Sequence, residues 1–204
     1  MALRRRQILS GLSLGLAGLL LRPAQARALG GTAPSLGEPA PDFTLEGVVP
    51  LAAPEAAVQA DSAAEAAVRT AQVNLADFRG RWLVLYFYPR DFTSGCTLEA
   101  RGFQRNLEAF HAASAEVVGV SADGTDDHAA FCGSEGLVYP LLSDRGGQVS
   151  RRYGSWLAPF SLRHTFLIDP EGVLRASWTA VRPAGHASEV LAELQRLQIA
   201  DHGG

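Results

Sequence analysis

Trp82-Leu83-Val84-Leu85-Tyr86-Phe87-Tyr88, followed directly by Pro89-Arg90-Asp91-Phe92-Thr93-Ser94-Gly95-Cys96, is the stretch that decides the fold of this chain. An unbroken β-prone apolar run reads as a central strand covered on both faces, because a strand with one wet face would alternate. Pro89 ends the run, and after a short loop Phe103, Leu107 and Phe110 recur at i, i+4 and i+7, the spacing of a helix with one buried face. A strand therefore gives way to a helix that begins near Cys96. A cysteine in a first helical turn meets unpaired backbone N–H groups and the positive end of the helix dipole. Both favour the thiolate, which is the nucleophilic form. Thr93, three residues earlier, is placed to aim its hydroxyl into the same pocket. Taken alone, the pattern also fits a buried, inert cysteine at a helix start.

Outward from this unit, Glu116–Ser121 is the next strand, and Asp126 and Asp127 open a helix carrying Phe131 and Cys132. Val138–Leu142 is expected as a short strand and Gly147–Tyr153 as a helix. His164–Ile168 and Val173–Trp178 are strands joined by Asp169-Pro170-Glu171-Gly172, a turn composition. A last helix covers Ala187–Leu197, with Val190, Leu191 and Leu194 on one face. On the other side, Phe43-Thr44-Leu45 forms a short first strand, and the Gly-, Pro- and Ala-rich Leu29–Ala40 a tether. The Ala-rich segment 48–72 reads as an insertion, with a surface helix over Glu55–Arg69, since Ala is the best helix former. The resulting order, β-α-β-α-β-α-β-β-α, predicts an α/β fold: a mixed central sheet flanked by helices on both faces.

At 204 residues the chain can bury one full core. Its eighteen basic residues are all Arg, which excludes lysine Schiff-base chemistry and a Walker lysine. Arg4, Arg5 and Arg6, the uncharged stretch from Gln7 to Leu21, and Ala24 and Ala26 form a basic, apolar and A-x-A succession, as in an export signal over residues 1–26. The apolar part is shorter than the ~20 residues of a membrane span. Arg5-Arg6-Gln7-Ile8-Leu9 follows the twin-arginine pattern, and Arg22 behind the apolar stretch weighs against an ordinary secretory signal. Cleavage after Ala26 removes four Arg and no acid, leaving 18 − 4 = 14 positive against 21 negative charges, or −7. An acidic domain without a basic run argues against nucleic acid and against an anionic membrane surface. The five His are dispersed without metal-ligand spacing, Cys96 and Cys132 form no C-x-x-C, and there is no Gly-rich nucleotide loop. No metal or organic cofactor is expected. Residues 27–36 read as linker, 37–198 as the domain and 199–204 as a tail.

Pro89-x-x-x-Thr93-x-x-Cys96 resembles the peroxiredoxin active-site motif. Tyr86–Asp91 continued by Cys96-Thr97-Leu98-Glu99-Ala100 is similar to the peroxiredoxin Q, or bacterioferritin comigratory protein, subfamily. Pro41–Leu45, Phe78-Arg79-Gly80, Gly119-Val120-Ser121, Pro140–Asp144 and Arg163–Asp169 also resemble it, in family order between about Gly37 and Leu197. The resemblance implies a thioredoxin-like fold. It also implies a peroxidatic role for Cys96, a peroxide-binding hydroxyl at Thr93, a shielding ring at Pro89 and the active-site arginine at Arg163. Glu99 belongs to the subfamily pattern without an assigned role, and His128 and His186 stand where the subfamily often has His. Many members carry a resolving cysteine five residues after the first, and here that position is Arg101. Cys132, 132 − 96 = 36 residues downstream, resembles a second arrangement in which the resolving cysteine lies on the next helix. A small apolar core residue and a permanent disulfide are its other readings. The implied activity is reduction of hydrogen peroxide and organic hydroperoxides, with an intramolecular disulfide re-reduced by thioredoxin or a comparable dithiol. A one-cysteine peroxidase using an external thiol and a non-catalytic thioredoxin-fold binding protein are the rivals. A monomer in a periplasm or thylakoid lumen is expected.

Overall fold

The computed structural model describes residues 30–51 and 68–202. The export signal expected over residues 1–26 lies outside the described residues, as does most of the Ala-rich segment. Among the described residues, nine strands and four α-helices follow in order: β1 Thr44–Pro50, β2 Val68–Asn74, β3 Trp82–Phe87, α1 Ser94–Ala112, β4 Ala115–Ser121, α2 Thr125–Glu135, β5 Leu141–Ser143, α3 Gln148–Arg152, β6 Trp156–Leu157, β7 Phe160–Ser161, β8 His164–Ile168, β9 Leu174–Trp178 and α4 His186–His202. A 3-10 turn, Leu75–Phe78, lies between β2 and β3. The main sheet has the order β2-β1-β5-β4-β3-β8-β9.

β3 sits deep in this sheet, with every residue buried. Its alternation sorts the two cores. Trp82, Val84 and Tyr86 face the side closed by α1, α2 and α4, through Phe103, Leu107, Phe110, Phe131, Val190 and Leu194. Leu83, Leu85 and Phe87 face the side closed by Val149 and Tyr153 near α3 and by Leu75 and Phe78 of the 3-10 turn. The expected helical layers on both faces are present, but unequal: three long helices against one short one and a turn.

β3 pairs in parallel with β4, Trp82 opposite Ala115 and Phe87 opposite Val120, so α1 is the crossover of a β-α-β unit. β3 also pairs antiparallel with β8, and this register puts Phe87 opposite His164. The carboxyl end of β3 therefore lies beside the amino end of β8. That fact brings Arg163, the residue before β8, to the loop that follows β3.

Several boundaries differ from the sequence expectation for identifiable reasons. The first strand continues to Pro50, because it is one arm of a hairpin: Thr44 pairs with Asn74 and Pro50 with Val68. Val68 and Arg69, expected at the end of a surface helix, belong to β2, where β-branched Val68 and Val73 contribute to the cores. The strand expected over Val138–Leu142 begins only at Leu141, since Pro140 has no N–H for a ladder and Val138 is exposed. Residues 37–40 are not a loose tether. Gly37 N–H donates to Leu174 O, Leu174 N–H to Glu38 O and Ala40 N–H to Gly172 O, at 2.8–3.0 Å. The last helix runs on through the expected tail to His202.

Candidate active site

α1 begins at Ser94 with Thr93 as its N-cap in extended conformation. The first helical hydrogen bond runs from Thr97 N–H to Thr93 O at 2.9 Å. The N–H groups of Ser94, Gly95 and Cys96 thus precede the ladder, at the end where the helix carries partial positive charge. Cys96 is 1% exposed and is a free thiol, as is Cys132.

Arg163 reaches Cys96 from the amino end of β8. Its Nη2 donates to Cys96 Sγ at 3.3 Å, and its Nη1 to Glu99 Oε2. Cys96 and Glu99 are i and i+3 on α1 and so share a helix face, and one guanidinium spans both. Burial would lower Arg163, but Glu99 and then Cys96 outweigh it and hold the guanidinium above its ordinary range. Burial pushes the Glu99 carboxyl up to about 7 against the pull of Arg163, and Glu99 Oε1 has no hydrogen-bond partner among the described residues. A fixed cation next to a sulfur at a helix N-terminus stabilises negative charge on that sulfur, and on an oxygen that approaches it. A Cβ at Gly95 would lie 3.2 Å from Arg163 Nη2, so the absence of a side chain there leaves the guanidinium its place.

Thr93 is exposed, and its hydroxyl donates to Arg90 O at 3.1 Å. With its hydrogen engaged by the backbone, the oxygen keeps lone pairs that can accept from a second molecule. Pro89 is half-buried at the end of β3. Phe92 adopts a left-handed backbone, φ 58°, which a bulky residue rarely does. Its half-exposed ring packs edge-on against Phe131 of α2, centroids 5.2 Å apart. The loop before Cys96 therefore rests on the residue preceding Cys132. Arg163 meets Cys96, and Thr93 caps the same helix with its hydroxyl turned to Arg90 of the loop that Pro89 begins. Cys132, wholly buried on α2, belongs to the same core cluster as Cys96 but makes no bond to it, and burial pushes its thiol up to about 12.

The bond of Glu99 to Arg163 gives a partner to a residue whose role sequence alone left open. So does a second cluster. His128 Nδ1 and Asp91 Oδ2 are 2.7 Å apart, and Tyr88 OH donates to Asp91 Oδ1 at 2.7 Å. His128 and Asp91 carry side-chain exposures of 0% and 2%. His128 is thus part of a buried, hydrogen-bonded cluster that reaches the loop after β3.

The chain matches the AhpC/TSA family over residues 36–177. It is 40% identical over 133 residues to Peroxiredoxin Bcp of Xanthomonas campestris, which covers 61% of this chain and 82% of that one. It is 39% identical over 143 residues to the mitochondrial thioredoxin-dependent peroxide reductase of Drosophila melanogaster, covering 65% of this chain and 61% of that one. Among solved structures, peroxiredoxin Q of Xanthomonas campestris superposes with a TM-score of 0.59 at 38% identity, over 61% of this chain and 84% of that one. The reduced 2-Cys peroxiredoxin of Plasmodium vivax gives 0.67 at 28% identity, over 82% and 98%. The chain belongs to the AhpC/TSA family and is a peroxiredoxin of the Bcp and peroxiredoxin Q kind, with the thioredoxin-like fold that the resemblance implied and the mixed sheet that its strand order implied.

Proposed function

We propose that this peroxiredoxin reduces hydrogen peroxide and organic hydroperoxides at Cys96, that Cys132 resolves the product as an intramolecular disulfide, and that thioredoxin or a comparable dithiol restores both thiols. The observation that carries the reading is the 3.3 Å contact of Arg163 Nη2 with Cys96 Sγ. The Cys96 thiolate attacks one peroxide oxygen in line. An S–O bond forms as the O–O bond breaks, and the second oxygen takes a proton and leaves as water or alcohol, with Cys96 left as sulfenic acid. Arg163 and the N–H groups of the first turn stabilise charge on sulfur and on the departing oxygen. Thr93 accepts a hydrogen bond from the peroxide and orients it, and Pro89 shields the pocket. Alkyl peroxide reduction is the activity described for the Xanthomonas campestris bacterioferritin comigratory protein, which supports organic hydroperoxides as substrates.

Solved forms of Xanthomonas campestris peroxiredoxin Q include serine variants at two cysteines 36 positions apart, the separation of Cys96 and Cys132, and this supports a resolving role for Cys132. The complete burial of Cys132, with its thiol pushed up to about 12, favours the one-cysteine rival, in which it is a core residue. Steady-state peroxide consumption with thioredoxin and its reductase decides between them. Wild type should turn over. Cys132→Ser should react once, stall as sulfenate and become prone to overoxidation, and full thioredoxin-linked turnover in that variant would establish the one-cysteine enzyme.

We also propose export of the chain through its Arg5-Arg6 signal, to a periplasm or thylakoid lumen, where it acts as a monomer.

A further inference from the structure

α2 places His128 and Cys132 four residues apart, so their side chains lie on one face, one turn apart. Helical side chains lean toward the amino end, which directs Cys132 over the turn that holds His128. Both residues are 0% exposed. Asp91 accepts from Tyr88 OH at Oδ1 and faces His128 Nδ1 from Oδ2, both at 2.7 Å. An ionised carboxylate can only accept, so Nδ1 carries a hydrogen, and in the neutral imidazole Nε2 then keeps its lone pair. That Nε2 is buried and has no hydrogen-bond partner among the described residues. Buried polar atoms are rarely left so. Asp91 is itself fixed, its N–H donating to Asp123 Oδ2 at 2.9 Å.

We propose that His128, oriented by Asp91, is the base that takes the thiol proton of Cys132 when the disulfide closes. The inference rests on the resolving role of Cys132. Cys132 Sγ loses its proton to His128 Nε2 and attacks Cys96 Sγ. The S–S bond forms as the S–O bond of the sulfenic acid breaks, and the departing hydroxyl takes the proton back from Nε2 and leaves as water. Cys132 sulfur is oxidised, Cys96 sulfur is reduced and no external reagent is consumed. Asp91 stabilises the transient imidazolium, as a buried carboxylate does for a catalytic His. The step needs such a base: burial holds the Cys132 thiol near 12, so the unaided thiolate is scarce at neutral pH. Asp91 and Tyr88 face His128, with Asp123 behind Asp91, and Cys132, one turn along α2 and outside hydrogen-bond distance of Nε2, feels the charge of Asp91.

The test is rapid-quench oxidation of the full chain with one equivalent of peroxide, with sulfenate and disulfide resolved by peptide mass. In wild type the disulfide phase should change little between pH 7 and pH 9. His128→Gln puts a neutral amide where the ring stood and has no base. Its disulfide phase should be slower by about 10²-fold at pH 7 and should rise about tenfold per pH unit, while sulfenate formation keeps its rate. An unchanged disulfide phase in His128→Gln overturns the inference. If that variant does not fold, the wild-type profile decides: a rise of tenfold per pH unit up to pH 9 overturns it. Absence of any Cys96–Cys132 disulfide in wild type removes the resolving role and the inference with it, and mapping of the unmutated protein distinguishes that failure from the others.

Discussion

Cys96 has two neighbours of opposite character, a cation that touches its sulfur and a carboxylate one helical turn away that holds the cation. Removing the cation should be costly: Arg163→Met is expected to slow sulfenate formation by about 10²-fold or more, with slower alkylation of Cys96 at neutral pH. Alkylation and peroxide rates equal to wild type would refute the electrostatic role. Glu99 makes a separate prediction. Its carboxyl, raised by burial to about 7, lies above the value it has in the unfolded chain, so folding favours the protonated form. The stability it contributes is complete below the unfolded value and is lost as pH rises through 7. Glu99→Gln stays neutral throughout and should gain on wild type between pH 5 and pH 8 by about 1 kcal/mol or more in denaturant titrations; a gap that moves the other way contradicts this. The sequence made the position of Cys96 legible because a strand-to-helix junction is a local pattern. Arg163 came only with the family resemblance, since it lies 67 residues from Cys96 and is brought there by the antiparallel pairing of β3 with β8. The partner of Glu99 could not be read at all, because i,i+3 spacing on α1 states which face it shares but not what meets that face.

At the scale of elements, α1 is anchored, and closing the proposed Cys96–Cys132 disulfide requires the last turn of α2 to open. Phe103 of α1 stacks on Tyr86 with centroids 4.6 Å apart and is fully buried, so Phe103→Ala should cost about 3–5 kcal/mol in denaturant unfolding. α2 ends in a left-handed Gly136, and Leu137 N–H donates to Cys132 O at 3.0 Å, the closing bond of a Schellman turn. Cys132 therefore lies in the final, glycine-flanked turn of α2, where fraying is least costly. Disulfide formation should raise amide exchange in the first turn of α1 and the last turn of α2, with Tyr86 and Phe103 still protected. Unchanged exchange in both turns after oxidation would contradict the proposed opening. The helices were legible from their apolar spacing, with Val190 and Leu194 buried as expected and Leu197 joining them. The β1–β2 hairpin was not, because Thr44–Pro50 and Val68–Asn74 are separated by an Ala-rich stretch of helical composition, and a two-residue pair such as β6 with β7 carries no periodicity.

In the whole molecule, the site lies beyond the carboxyl end of the central strand, where open α/β sheets place their ligands. β3 supplies the loop, α1 the thiol and the residue before β8 the cation, and the β1–β2 hairpin lies at the far edge of the sheet, beyond β5. Substitutions at exposed positions of β2 should leave peroxide kinetics untouched. The proposed export signal belongs to this scale as well. Arg5→Lys with Arg6→Lys should block export of a signal-fused reporter, and full export would favour a general secretory signal instead. The most direct test of the account is peptide mapping of the Cys132→Ser chain after one equivalent of peroxide in the presence of a sulfenate-trapping dione. One trapped adduct, on Cys96, is expected in proportion to peroxide consumed; peroxide consumed with Cys96 still a free thiol would rule out Cys96 as the attacking sulfur.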